Sequence, residues 1–143
     1  MVVKQISVFV ENTSGRLAKV TKILAEKNID IQALCIADTT DFGILRMIVN
    51  KPDEAKAAIR EAGFAVKTTE VIAVSIEDAP GGLNKAMQIL AESDIGIEYM
   101  YAFTEKRRND ALVILRVENN EDAAKALEKG GVPVIPGEVI YNL

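Results

Sequence analysis

"ENTSGRLAKVTKILAEKNIDI", Glu11 to Ile31, decides how this chain folds. It reads as a strand end, a tight turn bearing Gly15, a helix and the entry to a new strand. It returns as "EDAPGGLNKAMQILAESDIGI", Glu77 to Ile97. Gly15 falls on Gly81, 66 positions on, and at that shift Val8, Glu11, Leu17, Lys19, Ile23, Leu24, Ala25, Glu26, Ile29 and Ile31 recur identically. The register then changes. Leu45-Arg46 matches Leu115-Arg116 at a shift of 70, past the longer connection "FTEKRRND", and "EAGFAV" matches "KGGVPV" at 68. Identities kept in this order mark an internal repeat, so the chain is read as two copies of one unit.

Each copy has the same order of elements. Ile6, Val8 and Val10 alternate with mostly polar neighbours, the period of a strand. A helix follows from about Arg16 to Lys27, with Leu17, Val20, Ile23 and Leu24 on one face and Asn28 as the left-handed residue that ends it. "IDIQALCIAD" is a second strand, "TTDFG" a hairpin turn in which Asp38 and Asp41 are ordinary turn residues, and "ILRMIVN" a third strand. Pro52 opens a second helix, "PDEAKAAIREA", Gly63 stops it, and "FAVKTTE" closes the unit as a fourth strand. The second copy predicts strand 71–77, helix 82–93, strand 95–103, strand 110–117, helix 121–129 and a last strand at about 132–141.

This β-α-β-β-α-β order is the split βαβ, or ferredoxin-like, arrangement. The fold class is α+β: two such units, 1–70 and 71–143, with antiparallel sheets and the helices on one face. No Gly or Pro interrupts "FAVKTTEVIAVSIED". The units are therefore expected to share a continuous or sharply bent strand near Glu70, and one continuous eight-stranded sheet is a form this could take.

Composition narrows the function classes. Hydrophobic residues make up 49% of the chain, enough for a packed core. Aromatics are 5% and Trp is absent, so that core is aliphatic. The net charge of −4 and pI near 5.0 argue against a nucleic-acid partner, which needs a basic face. The single cysteine, Cys35, cannot form an intrachain disulfide; it reads as a buried structural thiol in a reducing, cytoplasmic setting. The N-terminus "MVVKQISVFVENT" has no continuous apolar segment and reads as a strand rather than a signal peptide. No 18-residue apolar run predicts a membrane span.

The third strands, "GILRMIVN" and "ALVILRVE", lack the aromatics on which an RNA-recognition sheet stacks bases. A metal carrier needs paired cysteines or histidines, and none are present. With no His and no nucleophile-base pair, catalysis finds no support. "EKRRND", Glu105 to Asp110, reads as a solvated hairpin tip. What remains is the repeated turn. A helix opening straight from a strand exposes unpaired N–H groups backed by the helix dipole, which favours a carboxylate. Gly15, Gly81 and Gly82 let the backbone turn sharply and approach a ligand. Asn12 and Asp78 take the same place in the two copies, and Asp suits a ligand's ammonium better, so the copies need not bind equally. The alternative is a plain turn with Ser14 as N-cap.

These residues make the chain resemble the ACT-domain family, small regulatory modules that bind amino acids. The family pattern is a strand, a polar-x-Pro-Gly-x-Leu turn, a helix with spaced aliphatics and x-Ile-x-Ile entering strand two. "EDAPGGLNKAMQILAESDIGI" follows it closely, and "ENTSGRLAKVTKILAEKNIDI" has Ser14 in place of the proline. The resemblance implies a ligand in a crease between two such units. The turn residues are then Asn12, Thr13, Ser14, Gly15, Arg16 and Leu17, with Asp78, Ala79, Pro80, Gly81, Gly82 and Leu83. The facing positions are Asn28, Ile29, Asp30 and Ile31, with Asp94, Ile95, Gly96 and Ile97.

Helix-core packing is a competing explanation of Leu17 and Leu83. Tyr99, Met100 and Tyr101 lean the ligand toward a branched-chain or aromatic amino acid, against ordinary sheet packing of the same residues. The resemblance further implies a free-standing, homo-oligomeric sensor that needs no cofactor or metal and modulates a separate metabolic enzyme or transporter. An interaction or assembly module without ligand binding is the rival.

Overall fold

In the computed structural model, which describes residues 2–38, 41–104 and 109–143, the first copy runs β1 (Val3–Glu11), α1 (Arg16–Glu26), β2 (Ile31–Asp38), β3 (Phe42–Val49) and α2 (Pro52–Glu61) into β4 (Ala65–Glu77). The second continues with α3 (Gly82–Glu92), β5 (Ile97–Ala102), β6 (Asp110–Val117), α4 (Asn120–Lys129), β7 (Val134–Ile135) and α5 (Gly137–Tyr141). The strands expected at 64–70 and 71–77 are one strand, β4, because nothing in "VKTTEVIAVSIE" breaks it. Thr39 and Thr40 of the first hairpin, and residues 105–108 of "EKRRND", lie outside the described residues. The chain divides into two compact units, Lys4–Thr69 with Leu143, and Glu70–Asn142 with the N-terminal residues through Val3.

The first unit has strand order β2-β3-β1-β4. β1 and β3 are antiparallel with Ile6 opposite Met47 and Val8 opposite Leu45. Because side chains alternate across a strand, these four share one face. α1 and α2 cover it, so Ile6, Val8, Leu45 and Met47 pack with Val20, Leu24, Ala55, Ile59 and Phe64 in one apolar cluster. Each fully buried aliphatic side chain of that set contributes roughly 2 kcal/mol. Pro52 occupies the first turn of α2, where its missing N–H would have had no partner.

The second unit repeats this. Ile72 faces Leu115 and Val74 faces Val113 across β4 and β6, β5 lies on the other edge of β6, and Leu90 and Leu127 bring α3 and α4 onto the same face. The helix ends agree bond for bond. Asn28 (φ 54) and Asp94 (φ 55) are left-handed. Their N–H groups donate to Ala25 and Ala91 (both 3.1 Å), and the next amides, Ile29 and Ile95, donate to Leu24 and Leu90 (both 2.9 Å). That pair of bonds is a Schellman motif, which satisfies carbonyls the helix would otherwise leave open.

Two expectations are corrected. The third strands correspond at a shift of 68, not 70: Met47 opposes Ile6, and Leu115 opposes Ile72. The starts of α2 and α4, Pro52 and Asn120, keep the same shift, as do the left-handed Gly63 and Gly131. Register follows from cross-strand partners, and the Leu-Arg dipeptide match was incidental. The strand expected at 132–141 shrinks to Val134–Ile135 on β4. Pro133 and Pro136 have no N–H to give a ladder, and Pro136 (ψ 149) instead caps α5, which buries Ile140 from a helix.

Candidate functional site

At the end of β1, the Asn12 N–H donates to Asp41 O (3.1 Å) and the Thr13 N–H to Glu11 O (2.8 Å). At the end of β4, Asp78 donates to Asn109 O and Ala79 to Glu77 O (both 2.9 Å). Each chain then enters its helix through a glycine at the N-cap, Gly15 at φ 87 and Gly81 at φ 89. Only glycine takes that conformation without strain, which is why both turns carry one there. Neither helix has a side-chain cap, so Ser14 is not the N-cap. The first helical amides, Arg16 and Gly82, donate back to Thr13 O (3.4 Å) and Ala79 O (3.0 Å), and the partial positive charge of the helix ends suits an anion.

The residues that follow Gly15 and Gly81 differ. A Cβ on Gly82 would run into the backbone carbonyl of Glu77. Its counterpart, Arg16, lays its guanidinium 4.5 Å from the centre of the Phe64 ring. Leu17 and Leu83 are not core residues: they stand 40% and 38% exposed, outside both apolar clusters, because they sit a turn before the buried stripe begins.

A pocket of about 180 Å³ opens beside the first turn. Val10, Glu11, Asn12 and Thr13 supply one side, Leu17 of α1 another, and Ile36, Gly43 and Leu45 of the β2–β3 hairpin the rest. In the second unit a broad depression of about 700 Å³ lies at the other end of α3, lined by Asp94, Ile95 and Gly96 with Glu118, Asn119, Asp122 and Lys125.

The turn sets and the facing sets do not meet within a unit. Asn12–Leu17 lies at the N-terminus of α1 and Asn28–Ile31 beyond its C-terminus, separated by an 11-residue helix about 16 Å long at 1.5 Å per residue. Asp78–Leu83 and Asp94–Ile97 flank α3 in the same way. The isoleucines of the facing sets point inward: Ile29 is buried, and Ile31, Ile95 and Ile97 pack against their cores. Asp30 is held by its backbone, its N–H donating to Asn50 Oδ1 at 2.9 Å. A β-bulge follows both Ile31 and Ile97, a device that re-aims strands beside sites.

Tyr99 and Tyr101 oppose Arg116 and Ile114 on the face away from the helices, whereas Met100 opposes Leu115 on the helix side and is exposed. Cys35 is half-buried rather than buried. Burial pushes its thiol pKa up, and Arg46 opposite it offsets this only in part. Such a thiol is a poor nucleophile near neutral pH. Among the described residues no cluster of His, Cys, Asp or Glu could hold a metal ion, and no helix is long and apolar enough to cross a membrane. The pocket residues Val10, Ile36, Gly43 and Leu45 escaped the sequence reading, because only strand register brings the hairpin beside the turn.

Comparison with known proteins agrees with this fold. The family described as ACT domain pair matches residues 1–133. Protein BT0572 from Bacteroides thetaiotaomicron is 42% identical over 100% of this chain and 98% of its own, with a TM-score of 0.93. The regulatory subunit of aspartate kinase from Thermus thermophilus, in its ligand-free form, is 23% identical over 89% of this chain and 91% of its own, TM-score 0.65. Its counterpart from Thermus flavus is 21% identical over 90% and 92%, TM-score 0.61. At those identities the kinase subunits share the fold. Among curated proteins none matches.

Proposed function

The chain belongs to the ACT domain pair family, and from that premise we propose that it is a regulatory, non-catalytic cytoplasmic protein that binds a free amino acid and modulates a separate metabolic enzyme or transporter. Residues 1–70 and 71–143 are its two ligand-responsive modules. The observation that carries this reading is the duplicated turn. Both copies present a helix N-terminus without a side-chain cap behind a left-handed glycine, with an exposed leucine beside it. An α-carboxylate suits the first feature and an apolar side chain the second.

The site residues are Asn12–Leu17 and Asp78–Leu83, with Asn28–Ile31 and Asp94–Ile97 facing them. Since each turn set and its own facing set lie at opposite ends of one helix, a ligand touching both kinds draws them from different units, of one chain or of two. The reading takes the protein as a homo-oligomer. The ligand is a branched-chain or aromatic amino acid, and it switches the partner by binding two states of the assembly unequally.

A thermal-shift screen against the twenty amino acids at millimolar concentration tests this. A ligand present at a hundred times its Kd adds about 2.7 kcal/mol to the native state. Stabilisation by one chemical class, reduced by Gly81→Val or Asp78→Ala in the second turn, is the expected result. Stabilisation by none of the twenty sinks the sensor and leaves an assembly module.

A further inference from the structure

We infer that the first copy carries a specificity pocket for an apolar side chain, and that the corresponding place in the second copy is shaped differently. The inference rests on the amino-acid-binding reading above and adds which copy selects the ligand and by what shape. The pocket floor is apolar and buried, formed by Val10 and Leu45 at 8% and 1% exposure. Its walls, Leu17 and Ile36, are 40% and 50% exposed. Apolar side chains left this open beside a small cavity gain by being covered.

The volume, about 180 Å³, is close to that of the ~150 Å³ apolar cavity known to hold a benzene-sized guest. The floor and walls hold no charged group, and the one acid that lines the pocket is Glu11. A carboxylate side chain would meet that acid, and an ammonium would lose its water against aliphatic carbon.

Gly43 makes the space. It is buried, its backbone is not left-handed, and a Cβ there would touch Ile36 Cγ2 at 3.5 Å, an ordinary contact. Alanine therefore fits the fold but fills the pocket. The second copy has done this already: Ala111 opposes Ile76 as Gly43 opposes Val10, and Ala102 opposes Val113 as Ile36 opposes Leu45. A methyl fills the floor there and the wall is cut back.

Titration calorimetry of the full chain with leucine, isoleucine, valine, phenylalanine, serine, aspartate and lysine tests the inference. Leucine, isoleucine, valine or phenylalanine is expected to bind tightest. Gly43→Ala should weaken it about tenfold or more, the usual value of one methyl group in a filled pocket. Ile36→Ala, at an exposed wall position, should erode the discrimination between leucine and valine, and Ala111→Gly should change nothing. Binding of an amino acid that survives both Gly43→Ala and Ile36→Ala unchanged would overturn the pocket while leaving the sensor intact. Tightest binding of serine or of a charged amino acid would overturn the apolar assignment. Binding of none would overturn both readings together.

Discussion

Replacing Gly81 and Gly82 in turn by alanine separates two physical reasons for a glycine at adjacent positions of one turn. Gly81 has φ 89 and nothing within 4 Å of where its Cβ would be. Its cost is torsional, about 1–2 kcal/mol for a left-handed alanine. Gly82 is the first residue of α3 and carries no positive φ. Its Cβ would collide with the carbonyl oxygen of Glu77 and lie 3.0 Å from the carbonyl carbon. That oxygen also accepts the 2.9 Å bond from Ala79 N–H that shapes the turn. Displacing it costs that bond, about 1 kcal/mol net, and overpacking adds about 1–3 kcal/mol.

Gly82→Ala should therefore cost about 2–4 kcal/mol, which for a chain of this length lowers Tm by about 7–13 °C. Gly15→Ala, at φ 87 in open space, should behave like Gly81→Ala. Calorimetric melting of the four proteins settles the comparison. If Gly82→Ala melts with Gly81→Ala, the strand end yields freely and the steric account is wrong.

Leu24→Ala and Leu90→Ala, both at 1% exposure in twin positions, should each cost about 3 kcal/mol in urea unfolding; a cost under about 1 kcal/mol at either site would deny that helix its core role. Arg16→Ala and Phe64→Ala should show a coupling of about 1 kcal/mol in a double-mutant cycle, and a coupling of zero would dissolve the stacked pair. Cys35 should react with a disulfide reagent more slowly than free cysteine at pH 8, since burial raises its pKa. The sign follows for stability: as pH climbs past the ordinary thiol value the unfolded chain ionises first, so the fold loses stability, and Cys35→Ala should flatten that alkaline slope. A rate at or above that of free cysteine contradicts the burial.

Most of the fold was legible because the repeat and the periodicities carry local physics. Asn28 and Asp94, or Gly63 and Gly131, are residues whose backbone demands are written in their own chemistry. Pro52 announced a helix start in the same way. The last strand misled because "VPVIPGEVIY" has the apolar content of a strand, while Pro133 and Pro136 withhold the amides a ladder needs. The third-strand register misled for the opposite reason: an identical dipeptide outweighed a pairing that only the neighbouring strand decides. At the site, the turn glycines were readable. The exposure of Leu17 and the presence of Ile36, Gly43 and Leu45 beside it were not, since these depend on where α1 stops covering the sheet and on which residue of the hairpin reaches β1.

Around the turn and the pocket beside it, the two copies kept the backbone geometry and diverged at three side-chain positions. The glycine N-caps, the amide bonds of the turns and the Schellman ends coincide to within a few tenths of an ångström or a few degrees of φ. Position 16 against 82, 36 against 102 and 43 against 111 pair Arg with Gly, Ile with Ala and Gly with Ala. Every free amino acid has the same carboxylate and ammonium, so a module that binds them needs one backbone cradle for all. Only the side chain distinguishes one from another, and complementary shape is where discrimination arises. Under the proposed function, a duplicated module that retained its cradle twice and reshaped one pocket has two places to hold the common part of a ligand and one place to choose it.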